Sequence, residues 1–232
     1  MGQQKEGADM KPLDIEITYD FICPWCWIGH RNLKNALSGE AADVSTKLSY
    51  TPFELNPAMP LAGLPRKEYR TAKFGSWARS QAMDADVAAA GRTVGLEFNY
   101  DLVGVTPNTR LAHRLMVLAQ RIGDKEKTEA LFESIFAAYF SRGENIGTID
   151  ALVPLAEFAG YDAQEVRAFL SGAHGEAEVV ARELDAQTQG VRAVPTVRIG
   201  NSRVGGAQPS AIFARTLLAE SDDAGVDVSH IA

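Results

Sequence analysis

Cys23 and Cys26 are the only cysteines in the chain, and they stand where its hydrophobic pattern changes period. Before them, Leu13 to Tyr19 alternates apolar and polar residues, the period of a half-buried strand. After Cys23-Pro24-Trp25-Cys26, residues Trp27, Ile28, Leu33 and Leu37 recur at helical spacing until Gly39 supplies a stop. The cysteine pair therefore opens a helix. Val44 to Phe53 reads as a second strand, which makes a βαβ unit of the first block.

The middle of the chain is helical in pattern. Ser76 is placed to cap a helix reaching Val94, and Pro107 to begin another whose Leu111, Leu115, Leu118 and Ile122 share a face. A third carries Leu131 and Ile135, and Thr148 starts one bent by Pro154. Asp162 with Glu165 has the spacing of a capping box. A charged helix from Glu176 stops at Gly190, and the pattern returns to β: Pro195 to Ile199 as a strand, Gly200-Asn201-Ser202 as a turn, Arg203-Val204 as the return. Pro209 opens a last helix. The expected organisation is α/β, one sheet assembled from 13–60 and 176–220 around an all-helical insertion, 61–175, with 221–232 as a disordered tail.

With 232 residues, 46% of them hydrophobic, the chain can bury a substantial core. A net charge of −7 without a basic cluster speaks against nucleic acid as a partner. No apolar run approaches the roughly 20 residues that span a bilayer, so no membrane partner is expected. Met1 to Pro12 is polar and lacks the apolar stretch of a secretory signal, which points to the cytoplasm.

A Cys-x-x-Cys turn at a helix start favours a thiolate on its first sulfur, because unpaired N–H groups and the positive helix end lie beside it. Cys23 is the expected nucleophile. Pro24 fits the first helical turn, and Cys26, one turn in, is the expected resolving thiol. A zinc site would need more ligands, yet no other cysteine exists and His30, His113, His174 and His230 show no ligand spacing, so no metal is expected. Two inert buried cysteines are the other alternative. His30 lies about 10 Å along the helix from Cys23, too far to pair with its sulfur. Val194-Pro195-Thr196 opens the late strand; a cis Val194–Pro195 bond would offer the Val194 backbone to a substrate beside Cys23.

These residues resemble the thioredoxin-fold superfamily and, within it, the DsbA-like branch of the FrnE type. The resemblance rests on Phe21-Ile22-Cys23-Pro24-Trp25-Cys26, Pro52-Phe53-Glu54-Leu55-Asn56-Pro57, Asn108-Thr109-Arg110-Leu111-Ala112-His113-Arg114 and Val194-Pro195-Thr196, and covers nearly all of Leu13 to Ala219. It implies a thioredoxin fold split by a helical domain, a cis-proline at Pro195, and disulfide exchange with thiol- or disulfide-containing proteins or small molecules. No cofactor is required, and glutathione is a candidate co-substrate. DsbA proper has a histidine before its second cysteine, whereas this chain has Trp25, so strong oxidant character does not transfer. The expected potential lies between those of thioredoxin and DsbA, roughly −270 to −120 mV. Trp25 serves either substrate contact or packing. Related glutathione transferases and 2-hydroxychromene-2-carboxylate isomerases typically carry serine at the position of Cys23, and a non-catalytic, chaperone-like module would work without either thiol.

Overall fold

The computed structural model describes residues 12–224. Strand β1 (Leu13–Tyr19) occupies the alternating segment, helix α1 (Pro24–Ser38) follows it, and β2 (Thr46–Pro52) returns parallel to β1, with Ile15 opposite Leu48 and Ile17 opposite Tyr50. Far along the chain, β5 (Thr196–Ile199) and β6 (Ser202–Gly205) form a hairpin, and β5 pairs antiparallel with the free edge of β1. The sheet order is β2-β1-β5-β6. An interior strand cannot leave its inward side chains wet, and Ile15, Ile17 and Tyr19 of β1 are all buried. Helix α9 (Ser210–Ala224) packs on α1 and lies over β1, β5 and β6.

Between β2 and β5 the chain is helical: α2 (Arg66–Phe74), α3 (Trp77–Thr93), α4 (Arg110–Ile122), α5 (Lys125–Phe140), α6 (Ile149–Phe158), α7 (Ala163–Ser171) and α8 (Glu176–Thr188). Side-chain oxygens of Ser76, Asp124, Thr148 and Asp162 each accept the N–H three residues on, which stops α3, α5, α6 and α7 from unwinding backwards. Together these elements form the thioredoxin fold with a helical insertion that the resemblance implies. No helix among the described residues is long and apolar enough to cross a membrane.

Three details depart from the sequence reading. Helix α4 begins at Arg110 and not at Pro107, because Asn108 Oδ1 accepts the Arg110 N–H at 2.9 Å and holds a turn ahead of the helix. A two-stranded ribbon joins β3 (Leu64–Pro65) to β4 (Val105–Thr106); two residues are too few for alternation to show. The expected disordered tail from Ser221 is helical as far as Ala224. Glu220 accepts hydrogen bonds from Ser202 Oγ at 2.6 Å and Asn201 N at 2.9 Å, and so ties α9 to the β5–β6 turn. The rest of that tail lies outside the described residues.

Sheet and insertion share one core. Phe132 and Phe136, one turn apart on α5, are fully buried against the end of β1: Tyr19 and Phe132 have ring centroids 4.8 Å apart, Phe21 and Phe136 4.9 Å. Tyr50 of β2 meets Phe132 at 4.5 Å. These aromatic contacts pack the insertion directly against the sheet.

Candidate active site

Cys23 is the N-cap of α1, with extended backbone (φ −95°, ψ 105°), and Pro24 takes the first helical position. The Cys23 N–H donates to the Asp20 carbonyl and the Cys26 N–H to the Cys23 carbonyl, each at 3.0 Å, which closes the turn. The first turn of α1 has no acidic residue to oppose the positive end of the helix. Both cysteines are free thiols. Cys26 is completely buried, whereas Cys23 keeps 7% of its surface at the mouth of the site. Burial pushes the Cys26 thiol well above its ordinary value, and the hydrogen bond with Cys23 and the charge of Cys23 push the same way.

Chain reversal brings the late motif onto this turn. The Cys23 thiol donates to the Val194 carbonyl at 3.6 Å, and the Val194–Pro195 peptide is cis. The approach is close because α1 presents Gly29 there: a Cβ would stand 3.2 Å from Pro195 Cγ. Trp25 is 41% exposed beside Cys23, placed for contact more than for packing, while Trp27 is buried. The fold thus gathers Cys23, Pro24, Trp25, Cys26, Val194 and Pro195 in one place.

Residues that periodicity did not single out support the turn from below. Asp20 is fully buried, and its Oδ2 accepts the Leu55 N–H at 2.7 Å while Oδ1 lies 3.3 Å from His113 Nε2. Two of the quoted motifs meet where Arg110 Nε donates to Glu54 Oε2 at 2.7 Å. Arg114 donates to the carbonyls of Phe169, Gly172 and His174 and so closes the end of α7. His30 sits away from the sulfurs, with Nδ1 2.7 Å from Glu133 Oε1. Its structural role follows from the two helical turns between it and Cys23. Asp20 was detectable as an acid ending an apolar strand just before Cys23, but Glu133 carried no local signal. Among the described residues, no group of three or more His, Cys, Asp or Glu is arranged to hold a metal ion.

The family described as DSBA-like thioredoxin domain matches residues 14–218. Uncharacterized protein YwbO of Bacillus subtilis (strain 168) is 26% identical over 211 residues, covering 89% of this chain and 96% of that protein. The crystal structure of a probable DsbA oxidoreductase from Streptomyces coelicolor superposes with a TM-score of 0.84 at 29% identity, covering 94% of each chain. A 2-hydroxychromene-2-carboxylate isomerase shares the fold at 16% identity, with a TM-score of 0.64 over 90% of this chain and 94% of that one.

Proposed function

The chain belongs to the family of DSBA-like thioredoxin domains, and on that premise we propose that it is a thiol–disulfide oxidoreductase in which Cys23 attacks and Cys26 resolves. The observation that carries the reading is the unequal placement of the two thiols: Cys23 caps the helix N-terminus and keeps 7% of its area accessible in the cavity lining, whereas Cys26, one turn behind it, is wholly enclosed. In the reducing direction the Cys23 thiolate attacks one sulfur of a substrate disulfide. The substrate S–S bond breaks, one thiolate leaves, and a mixed disulfide forms on Cys23. Cys26 then loses its proton and displaces the second substrate thiol, so that two electrons pass to the substrate and Cys23–Cys26 becomes the oxidised pair. Oxidation runs the same steps in reverse.

The Val194 backbone, whose carbonyl accepts the Cys23 thiol, is the stretch with which an extended substrate segment would pair in this reading. The FrnE-type assignment and the use of glutathione as co-substrate are finer parts of the same proposal. So is a cytoplasmic setting, which suits a chain whose only two cysteines are too few and too close in sequence to be a structural disulfide framework.

Equilibration with glutathione redox buffers, followed by thiol trapping and mass analysis, tests the proposal. A single two-electron transition giving an intramolecular Cys23–Cys26 disulfide is the expected result. If only a Cys23–glutathione adduct forms, or turnover survives Cys26→Ser, single-thiol glutathione chemistry replaces the dithiol mechanism.

A further inference from the structure

Beside Cys23 and Trp25 a cavity of about 160 Å³ runs under α2 and α3. Its charged lining is Arg66, Arg70 and Lys73 against a single carboxylate, Asp84. Arg66 is 3% exposed and its Nη2 lies 2.8 Å from Asp84 Oδ2; Arg70 Nη2 lies 2.8 Å from Oδ1 of the same residue. A buried and a half-buried guanidinium therefore share one anion, which neutralises only one of them. The guanidinium of Arg66 also rests on the Tyr100 ring, 4.8 Å from its centroid. Tyr100 Oη, in the same lining, is buried without a hydrogen-bond partner among the described residues. Lys73 is exposed at the rim, donating to Tyr69 Oη at 2.9 Å.

On a chain of net charge −7, a positive pocket opening beside the nucleophilic sulfur is a local reversal of the whole surface's sign. A carboxylate entering it would meet the unbalanced arginine charge and the unpaired phenol together, a charge-assisted arrangement. The volume suits one short arm of a molecule and not a folded partner. We propose that this cavity selects small disulfides and thiols bearing a carboxylate near the sulfur, with Arg70 and Lys73 as specificity-determining residues. The inference rests on the dithiol reading above and names its substrate class. The chemistry is the same exchange: one substrate S–S bond is reduced to two thiols as the Cys23–Cys26 disulfide forms.

The test uses the reduced protein at low ionic strength, where charge selection is least screened, and follows Trp fluorescence in single-turnover mixing. The probes are dithiodipropionate (anionic), cystamine (cationic) and hydroxyethyl disulfide (neutral), each rate taken relative to that of the neutral probe in the same variant. Expected is a preference for the anion over the cation of at least about tenfold, reduced about threefold by Lys73→Gln and to near unity by Arg70→Gln with Lys73→Gln. Lys125→Gln, which removes the same charge from the start of α5, should keep the wild-type preference. Absence of the preference, its survival in the double variant, or an equal loss in Lys125→Gln overturns the inference while leaving the dithiol reading intact. If the neutral probe is not reduced at all, the dithiol reading fails and the inference with it.

Discussion

Glu133 on α5 holds α1 in place through His30, whose Nδ1 lies 2.7 Å from Glu133 Oε1; Trp27 Nε1 and Arg31 Nη2 donate to Oε2 at 2.7 and 3.0 Å. One carboxylate of the insertion thus gathers three groups from the helix that carries the cysteines. Burial alone would raise the Glu133 carboxyl, but the hydrogen bond and charge of His30, the hydrogen bond of Trp27 and the charge of Arg31 outweigh it and bring the value from 4.5 down to about 2.

Because the folded value lies below the unfolded one, this stabilisation is fully present above pH 4.5 and is lost as the pH falls toward about 2. A shift of that size corresponds to about 3 kcal/mol. Glu133→Gln should flatten the acid limb of stability between those values and lower stability at neutral pH by up to that amount. Urea unfolding across the acid range measures both, and an unchanged acid limb in the variant would refute the assignment.

The pair Glu54 and Arg110 should respond asymmetrically. Glu54 is 3% exposed, its carboxylate has Arg110 as partner, and its own N–H donates to Glu183 at 3.1 Å. Burial raises the Glu183 carboxyl, and the charge of Glu54 raises it further. Arg110→Gln leaves two carboxylates facing each other without their cation and should cost about 3–5 kcal/mol. Glu54→Gln keeps an acceptor for Arg110 and should cost less than about 2 kcal/mol. Equal losses in denaturant unfolding would mean that the pair's charge is not what matters there.

The two thiols should differ in reactivity one at a time. In Cys23→Ser, the remaining Cys26 is fully buried and its thiol is held well above the ordinary range by burial first of all. Iodoacetamide should alkylate it at about pH 7 at least about a hundredfold more slowly than it alkylates Cys23 in Cys26→Ser. Comparable rates would exclude the division of roles.

Gly91→Ala tests a case where packing beats propensity. In an exposed helix, alanine is favoured over glycine by about 1 kcal/mol. On α3, however, a Cβ at Gly91 would stand 2.4 Å from Phe98 Cε2, and Phe98 is itself packed edge-on against Trp27, their centroids 5.2 Å apart. The variant should therefore lose about 1–3 kcal/mol and alter Trp27 fluorescence. A gain in melting temperature would show that Phe98 can swing aside.

Local pattern alone determined a good deal about this protein. The alternation of Leu13 to Tyr19, the helical spacing after Cys26 and the caps at Ser76, Thr148 and Asp162 are written in neighbouring residues, because hydrogen bonding and periodicity act within a turn or two. Cys23 and Cys26 were legible for the same reason: three residues on a helix start dictate their own geometry. The convergence of Val194 on Cys23, 171 positions away, depended on β5 joining the free edge of β1. Asp20 meeting His113, Glu133 gathering Trp27, His30 and Arg31, and Arg66 with Arg70 sharing Asp84 have no periodic signature either. Charges and polar groups far apart in the chain acquire partners only when packing removes them from water, and that is a property of the folded core, decided by the tertiary structure.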